Sequence, residues 1–430
     1  MISKSRHVVI IGGNFAGLTA ALELPASCDV TVIDPTQHFE WIPNIHEILS
    51  SVKTPRGLRL DRADIVERAG HRFVQDRVAV LRPARRRLVT ASGRELSFDA
   101  CIVAVGGLSN THHIPGVARH ALPFRSVADA LEIERRLAGL VARHKPLRVV
   151  IAGAGISGIE ALGEILRRYR GHPGLSVELV EASPQLLPGL PAGLDADLRR
   201  LCESLPVKFH TGATISSVSP KVVRLADGVR LRCELTIWTA GSTPPALLQE
   251  SGLSRAPSAW APVAETLQSR YFKRAFVAGD AAILPKPVGK QAYNAIDMGA
   301  HAATNVKRLL AGLPLKPFRP AAKPLLVAFG DLQTYLVAGK TVLASRALAG
   351  AKEGVFQVFM SQMSPGSVLT GLPAATSRLW QSWRELALPQ LLSLADFKAL
   401  PDLRVIRVLA ASPAAPVRAQ RRSPPTPPAP

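Results

Sequence analysis

Two glycine-rich turns, about 140 residues apart, constrain the fold of this chain more than any other feature. The first is Gly12-Gly13-Asn14-Phe15-Ala16-Gly17 and the second is Gly153-Ala154-Gly155-Ile156-Ser157-Gly158. Each follows an apolar strand-like run, at 8–11 and 149–152, and opens a helical stretch. Glycine ahead of a helix leaves backbone N–H groups exposed at the positive end of the helix dipole, which suits a pyrophosphate. Two such cradles imply two dinucleotides, and two dinucleotides side by side imply electron transfer between them. The expected class is α/β, with two Rossmann-like dinucleotide-binding domains.

An acid completes each turn. A strand over 29–33 ends at Asp34, 17 residues after Gly17, and a strand over 176–180 ends at Glu181, 23 residues after Gly158. A carboxylate there accepts hydrogen bonds from adenosine ribose hydroxyls. It also repels a 2′-phosphate, so Glu181 favours NADH over NADPH. The second turn has all three glycines, whereas the first has Asn14 at its middle position, a residue that tolerates left-handed backbone angles. Further expected strands are 73–81, 87–90, 100–105, 235–239 and 275–278. The last three end in Gly106-Gly107, Ala240-Gly241 and Gly279-Asp280. A helix is expected over 291–310.

The four cysteines, Cys28, Cys101, Cys202 and Cys233, form no C-x-x-C pair and have no metal-ligand spacing. They read as structural thiols, and no metal is expected. The formal charge of +21 fits a solvated basic surface or attraction to an anionic membrane face or acidic partner. Aromatic residues are only 5% and no aromatic-basic module is present, so nucleic acid is not an expected partner. No leader precedes the first strand and no run of about 18 apolar residues occurs. A cytoplasmic protein is expected, with peripheral attachment to the inner membrane face left open.

In these motifs the chain resembles flavoproteins with two dinucleotide-binding domains, of the pyridine nucleotide-disulfide oxidoreductase kind. These include type II NADH dehydrogenases, sulfide:quinone reductases and ferredoxin reductases. The resemblance covers about residues 7–345. It rests on both turns with their acids, on Val103-Ala104-Val105-Gly106-Gly107, on Trp238-Thr239-Ala240-Gly241 and on Phe276-Val277-Ala278-Gly279-Asp280. It implies that Gly12, Gly13, Asn14, Phe15, Ala16, Gly17, Asp34 and Gly106 hold FAD, with Gly279, Asp280 and Gln291 at its ribityl and pyrophosphate side. Gly153, Gly155, Gly158 and Glu181 would hold NADH, and Gly241 would let the nicotinamide lie flat. The implied domains are 1–117 and 269–345 for FAD, 118–268 for NAD(P)H, 346–411 as a C-terminal region and 412–430 as a proline-rich disordered tail.

Within that family the branches differ in the electron acceptor. A disulfide branch needs a C-x-x-C beside the flavin, and a sulfide:quinone branch needs separated cysteines there, although 12–22 with Phe39-Glu40-Trp41-Ile42-Pro43 resembles the latter. The NADH dehydrogenase branch matches through Glu160, which would lie near the nicotinamide, and through the segments around Glu181 and Gly241. Its two quinone-site glutamines correspond here to Tyr293 and Asp297, aligned on Gly299. The reading is an FAD-dependent enzyme that takes hydride from NADH and passes electrons to a quinone, with Glu160, Tyr293 and Asp297 as catalytic candidates. A sulfide:quinone or ferredoxin reductase-like enzyme, a secondary-metabolite flavoenzyme and an NADH-sensing flavoprotein are the alternatives. Leu379-Trp380-Gln381-Ser382-Trp383-Arg384-Glu385-Leu386, Leu391-Leu392 and the tail residues Arg418, Arg421 and Arg422 would favour a bilayer surface. A homodimer stays open.

Overall fold

The computed structural model describes residues 6–363 and 402–406. The first unit comprises β1 (His7–Ile11), α1 (Phe15–Glu23), β2 (Asp29–Asp34), α2 (Arg62–Arg68), β3 (Arg72–Gln75) and β4 (Ala100–Val103). The second comprises β5 (Leu122–Pro123), α3 (Val127–Ala142), β6 (Leu147–Ala152), α4 (Ile156–Tyr169), β7 (Leu175–Glu181), α5 (Gly193–Cys202), β8 (Val207–Thr211) and β9 (Leu235–Trp238). The chain then returns to the first sheet as β10 (Ala275–Val277), followed by α6 (Ala292–Leu310). A C-terminal layer holds β11 (Leu325–Phe329), β12 (Gln333–Ala338), β13 (Thr341–Ala344), α7 (Leu348–Met363) and β14 (Arg404–Ile406).

Two parallel five-stranded sheets organise the molecule. Their orders are β10-β4-β1-β2-β3 and β5-β9-β6-β7-β8. In each, the strand before the glycine turn lies at the centre and the strand ending in the acid lies beside it. Val8, Val9 and Ile10 are fully buried, as are Val150 and Ile151. A central parallel strand is covered on both faces, so a continuous apolar run is the expected composition.

The turns themselves follow from close approach. Gly12 has φ +94° and Gly153 has φ +99°, a region that L side chains rarely adopt. A β-carbon on Gly17 would overlap the Gly12 carbonyl, and one on Gly158 would overlap the Gly153 carbonyl. The helix therefore starts hard against its own turn in both units. On α6, Gly299 lies against the Ala16 backbone with no room for a side chain. That seam sets α6 directly on α1.

Some expectations required correction. The single strand expected over 73–81 divides into β3 and a separate antiparallel strand, Val78–Arg82, which pairs with Arg87–Thr90. The break lies at Asp76, whose carboxylate accepts from the Arg77 N–H (2.7 Å) and the Ser92 hydroxyl (2.5 Å) and so builds a turn. The strand expected over 100–105 ends at Val103. Beyond it the chain turns away through Gly106, at φ +61°. The antiparallel C-terminal sheet β11-β12-β13-β14 and helix α7 had no counterpart in the sequence reading. This sheet joins β13 to β14 across the expected boundary at 345/346. The Leu379–Leu392 stretch and the 412–430 tail lie outside the described residues.

Candidate functional site

The two acids repeat one arrangement. Asp34 accepts from the Gly13 N–H (2.8 Å) with one oxygen and from the Thr36 N–H (2.9 Å) with the other. Glu181 accepts from the Ala154 N–H (2.7 Å) and the Ser183 N–H (2.8 Å) in the same way. Each carboxylate thus ties the second residue of its glycine turn to the residue two beyond itself. The strand end, the turn and the helix start become one rigid unit. Asn14 stands immediately before α1 at φ −99°, ψ −153°, which is extended backbone. Its tolerance of left-handed angles is therefore not what suits it to this place. Its Oδ1 is buried without a hydrogen-bond partner, and Asn14 lines the cavity described next.

A continuous cavity of about 2650 Å³ runs through the molecule. Of the expected site residues, Gly12, Asn14, Phe15, Ala16, Asp34, Gly106, Glu160, Gly279, Asp280, Gln291, Tyr293 and Asp297 line it. Gly13 and Gly17 sit behind the first turn. Gly153, Gly155, Gly158, Glu181 and Gly241 are outside its lining, although Ile156, Ser157 and Glu160 of α4 reach it. The second turn therefore meets the cavity only through the start of its helix. Gly241 has φ +79° and faces His112, whose Nε2 lies 3.0 Å from the Ala240 carbonyl oxygen.

Near β10 the cavity wall carries Asp280. Burial raises its carboxyl above the usual range, while Lys290 and Arg125 act in the opposite direction. The Lys290 ammonium lies over the Trp260 ring, and burial lowers its pKa to about 8. Gln291 caps the start of α6 with its side chain uncommitted to the helix backbone. Tyr293, the second residue of α6, has its phenol pushed up to about 12 by burial, so it remains protonated and able to donate. Asp297 pairs with Lys323, which also donates to the Tyr293 carbonyl oxygen (3.2 Å).

At the other end, Glu160 is buried on α4 and bonded to Lys352 of α7. Its Oε1 is 2.5 Å from Lys352 Nζ and 3.2 Å from the Ala328 nitrogen of β11. His46 completes the cluster, with Nδ1 at 3.4 Å from Glu160 Oε2 and Nε2 at 3.2 Å from Lys352 Nζ. Burial raises the Glu160 carboxyl and, with the Lys352 charge, lowers His46 well below its ordinary range. The imidazole is therefore neutral, and the charge in this cluster is shared between an acid and an ammonium. Sequence reasoning identified Glu160 but not His46, Lys352 or Lys323. Lys352 lies 192 residues from Glu160, and no local motif surrounds it.

The donor set fits a flavin dinucleotide. A helix N-terminus behind a glycine turn, the buried, unpartnered Oδ1 of Asn14 and the carboxylates Asp34 and Asp280 all line one cavity. None of the four cysteines lines it, and all four are free thiols. Among the described residues there is no cluster of metal-ligating side chains.

Known proteins resemble the chain in sequence and in fold. The chain is 25% identical over 361 residues to the type II NADH:quinone oxidoreductase of Staphylococcus saprophyticus, covering 77% of this chain and 89% of that protein. It is 24% identical to the alternative NAD(P)H-ubiquinone oxidoreductase C1 of Arabidopsis thaliana, covering 74% and 70%. The fold is similar to that of NDH2 from Plasmodium falciparum, solved in complex with NADH. That match has a TM-score of 0.74 and 15% identity, over 83% of this chain and 95% of that one. It is also similar to the sulfide:quinone oxidoreductase of Aquifex aeolicus, with a TM-score of 0.76 and 15% identity, over 88% and 95%. Residues 6–299 match the family described as pyridine nucleotide-disulphide oxidoreductase. With its two turn-and-acid units, the chain belongs to that family of oxidoreductases.

Proposed function

We propose that this chain is an FAD-dependent NADH:quinone oxidoreductase. The observation that carries the reading is the continuous cavity. It connects the first glycine turn and Asp280 with Tyr293, Glu160 and Lys352, and it is reached by the start of the second dinucleotide helix. Relatives named as NADH:quinone oxidoreductases support the choice of donor and acceptor.

Bound in the cavity, a flavin supplies a ring that takes a hydride from a nicotinamide and returns two electrons to a second substrate. The residues around it position and polarise. Asp34 would accept from ribose hydroxyls, and the N-terminus of α1 would hold the diphosphate. Asp280 would accept from a ribityl hydroxyl, and the positive dipole end of α6 would stabilise negative charge on the ring. Glu181 and the turn at Gly153, Gly155 and Gly158 hold NADH, and its carboxylate disfavours a 2′-phosphate. Reducing a quinone to a quinol consumes two electrons and two protons, of which a hydride carries one. Glu160 is the buried acid placed to hold the other, with Lys352 as its counter-charge. The Tyr293 phenol faces the acceptor as a hydrogen-bond donor. With no thiol in the wall, a sulfide or dithiol route lacks its nucleophile.

The test is an anaerobic titration of the purified holoprotein. The flavin absorbance should bleach with one equivalent of NADH, resist NADPH, and return when a short-chain quinone is added. A protein that binds no flavin, or whose reduced flavin is not reoxidised by quinone, would contradict the reading.

A further inference from the structure

The two turn-and-acid units match in their backbone hydrogen bonds but differ in one buried side chain. Arg62, the first residue of α2, is almost fully buried against the first turn. Its Nε donates to the Gly13 carbonyl oxygen (2.6 Å), and its Nη1 donates to Asp34 Oδ1 (2.9 Å), to the Thr36 hydroxyl (2.9 Å) and to the Thr36 carbonyl. Among the described residues, no lysine, arginine or histidine forms an ion pair with Glu181 in the second unit.

The difference extends to the backbone. A β-carbon on Gly13 would lie 2.5 Å from Arg62 Cδ and 2.8 Å from Arg62 Nε. The equivalent position in the second turn is Ala154, which carries a β-carbon. Gly13 is therefore a glycine because the guanidinium occupies the space a side chain would fill.

We infer that Arg62 is a positioning residue that pre-forms the first cradle for a resident flavin dinucleotide. The second cradle, without such a clamp, is left to a coenzyme that exchanges each turnover. The inference rests on the reading that the first cradle holds FAD. The peptide group is planar, so its C=O and N–H point in opposite directions. Holding the Gly13 carbonyl against Arg62 therefore turns the Asn14 N–H away from the guanidinium. The same guanidinium fixes Asp34, whose position sets where the ribose can dock. The ordering cost of the turn is then met during folding and not on binding. A planar fork of donors suits this role better than an ammonium, because four acceptor atoms from three residues lie around it.

The experiment compares Arg62→Ala, Arg62→Lys, Gly13→Ala and the double variant Arg62→Ala/Gly13→Ala. Flavin affinity is read from recovery of free-flavin fluorescence on dilution. NADH affinity is read separately, as KM at saturating FAD. Arg62→Ala and Gly13→Ala should each weaken flavin binding by about tenfold or more, with the NADH KM changed by less than about twofold. The double variant should be no weaker than the worse single variant, because both changes remove one interaction. Arg62→Lys should fall between. Wild-type flavin retention in the single variants, additive losses in the double, or a parallel loss of NADH affinity would overturn the inference. Should Arg62→Ala fail to fold, Gly13→Ala and Arg62→Lys decide it by the same readouts. A wild-type protein that never takes up flavin would instead refute the reading beneath it.

Discussion

Glu160 and Lys352 illustrate how much a single contact can carry. Removing Lys352 leaves a carboxylate buried without its counter-charge, a change that costs about 3–5 kcal/mol in comparable buried pairs. Lys352→Met should therefore lower the denaturant midpoint strongly. Glu160→Gln/Lys352→Met should recover much of the loss, since both charges leave together. If the double variant is no more stable than Lys352→Met, the pair is not the cause. One turn along α4, Glu164 is buried and bonded to the Ser50 hydroxyl, and burial holds its carboxyl at about 7 instead of the usual 4.5. The folded state thus binds this proton more tightly than the unfolded state. The stabilisation is complete below about pH 4.5 and is lost as pH rises toward about 7, by linkage. Glu164→Gln should flatten that part of the stability profile, and an unchanged slope across it would exclude Glu164 as its source. Neither residue announced this behaviour in the sequence. Glu160 and Glu164 are four apart on one helix face, a spacing that a solvated helix surface also shows. Their partners are His46 and Ser50 of one segment and Lys352 of another, which lies 192 residues from Glu160.

At the scale of elements, the seam between α1 and α6 positions the α6 N-terminus over the cavity. Gly299 has the Ala16 backbone where its side chain would be. Overfilling a close-packed contact costs about 1–3 kcal/mol, and here the neighbour is backbone, which cannot rotate aside. Gly299→Ala should lower the urea midpoint and also loosen flavin retention, because α6 carries Gln291 and Tyr293 with it. Normal flavin affinity in a destabilised variant would show that the α6 N-terminus does not contribute to binding. The α6 helix was legible at 291–310 and appears as Ala292–Leu310, since its apolar periodicity is strong. The run at 73–81 misled because apolar residues stand on both sides of Gln75-Asp76-Arg77. A one-dimensional pattern does not reveal that the Asp76 carboxylate closes a turn with Ser92.

Over the whole molecule, the charge of +21 sets the long-range field. Among the described residues no helix is long and apolar enough to cross a membrane. Peripheral attachment to an anionic bilayer then predicts that the full chain sediments with anionic vesicles and not with zwitterionic ones. Added salt should release it, because screening shortens to about 8 Å at physiological ionic strength. Equal recovery with both vesicle types, or with neither, would remove the surface role of this charge. The paired glycine turns, their terminal acids and the apolar strands before them were decided by the sequence itself. These are local requirements of backbone conformation and close approach, and they reach only a few residues in either direction. The sequence also showed that the chain carries no C-x-x-C pair. Tertiary structure alone decided that Lys352 faces Glu160, that Arg62 stands behind Gly13, and that Leu325, Leu326 and Leu336 of the C-terminal sheet line the cavity. Those pairings depend on packing between segments far apart in the chain, where burial and shape, not spacing, select the partner.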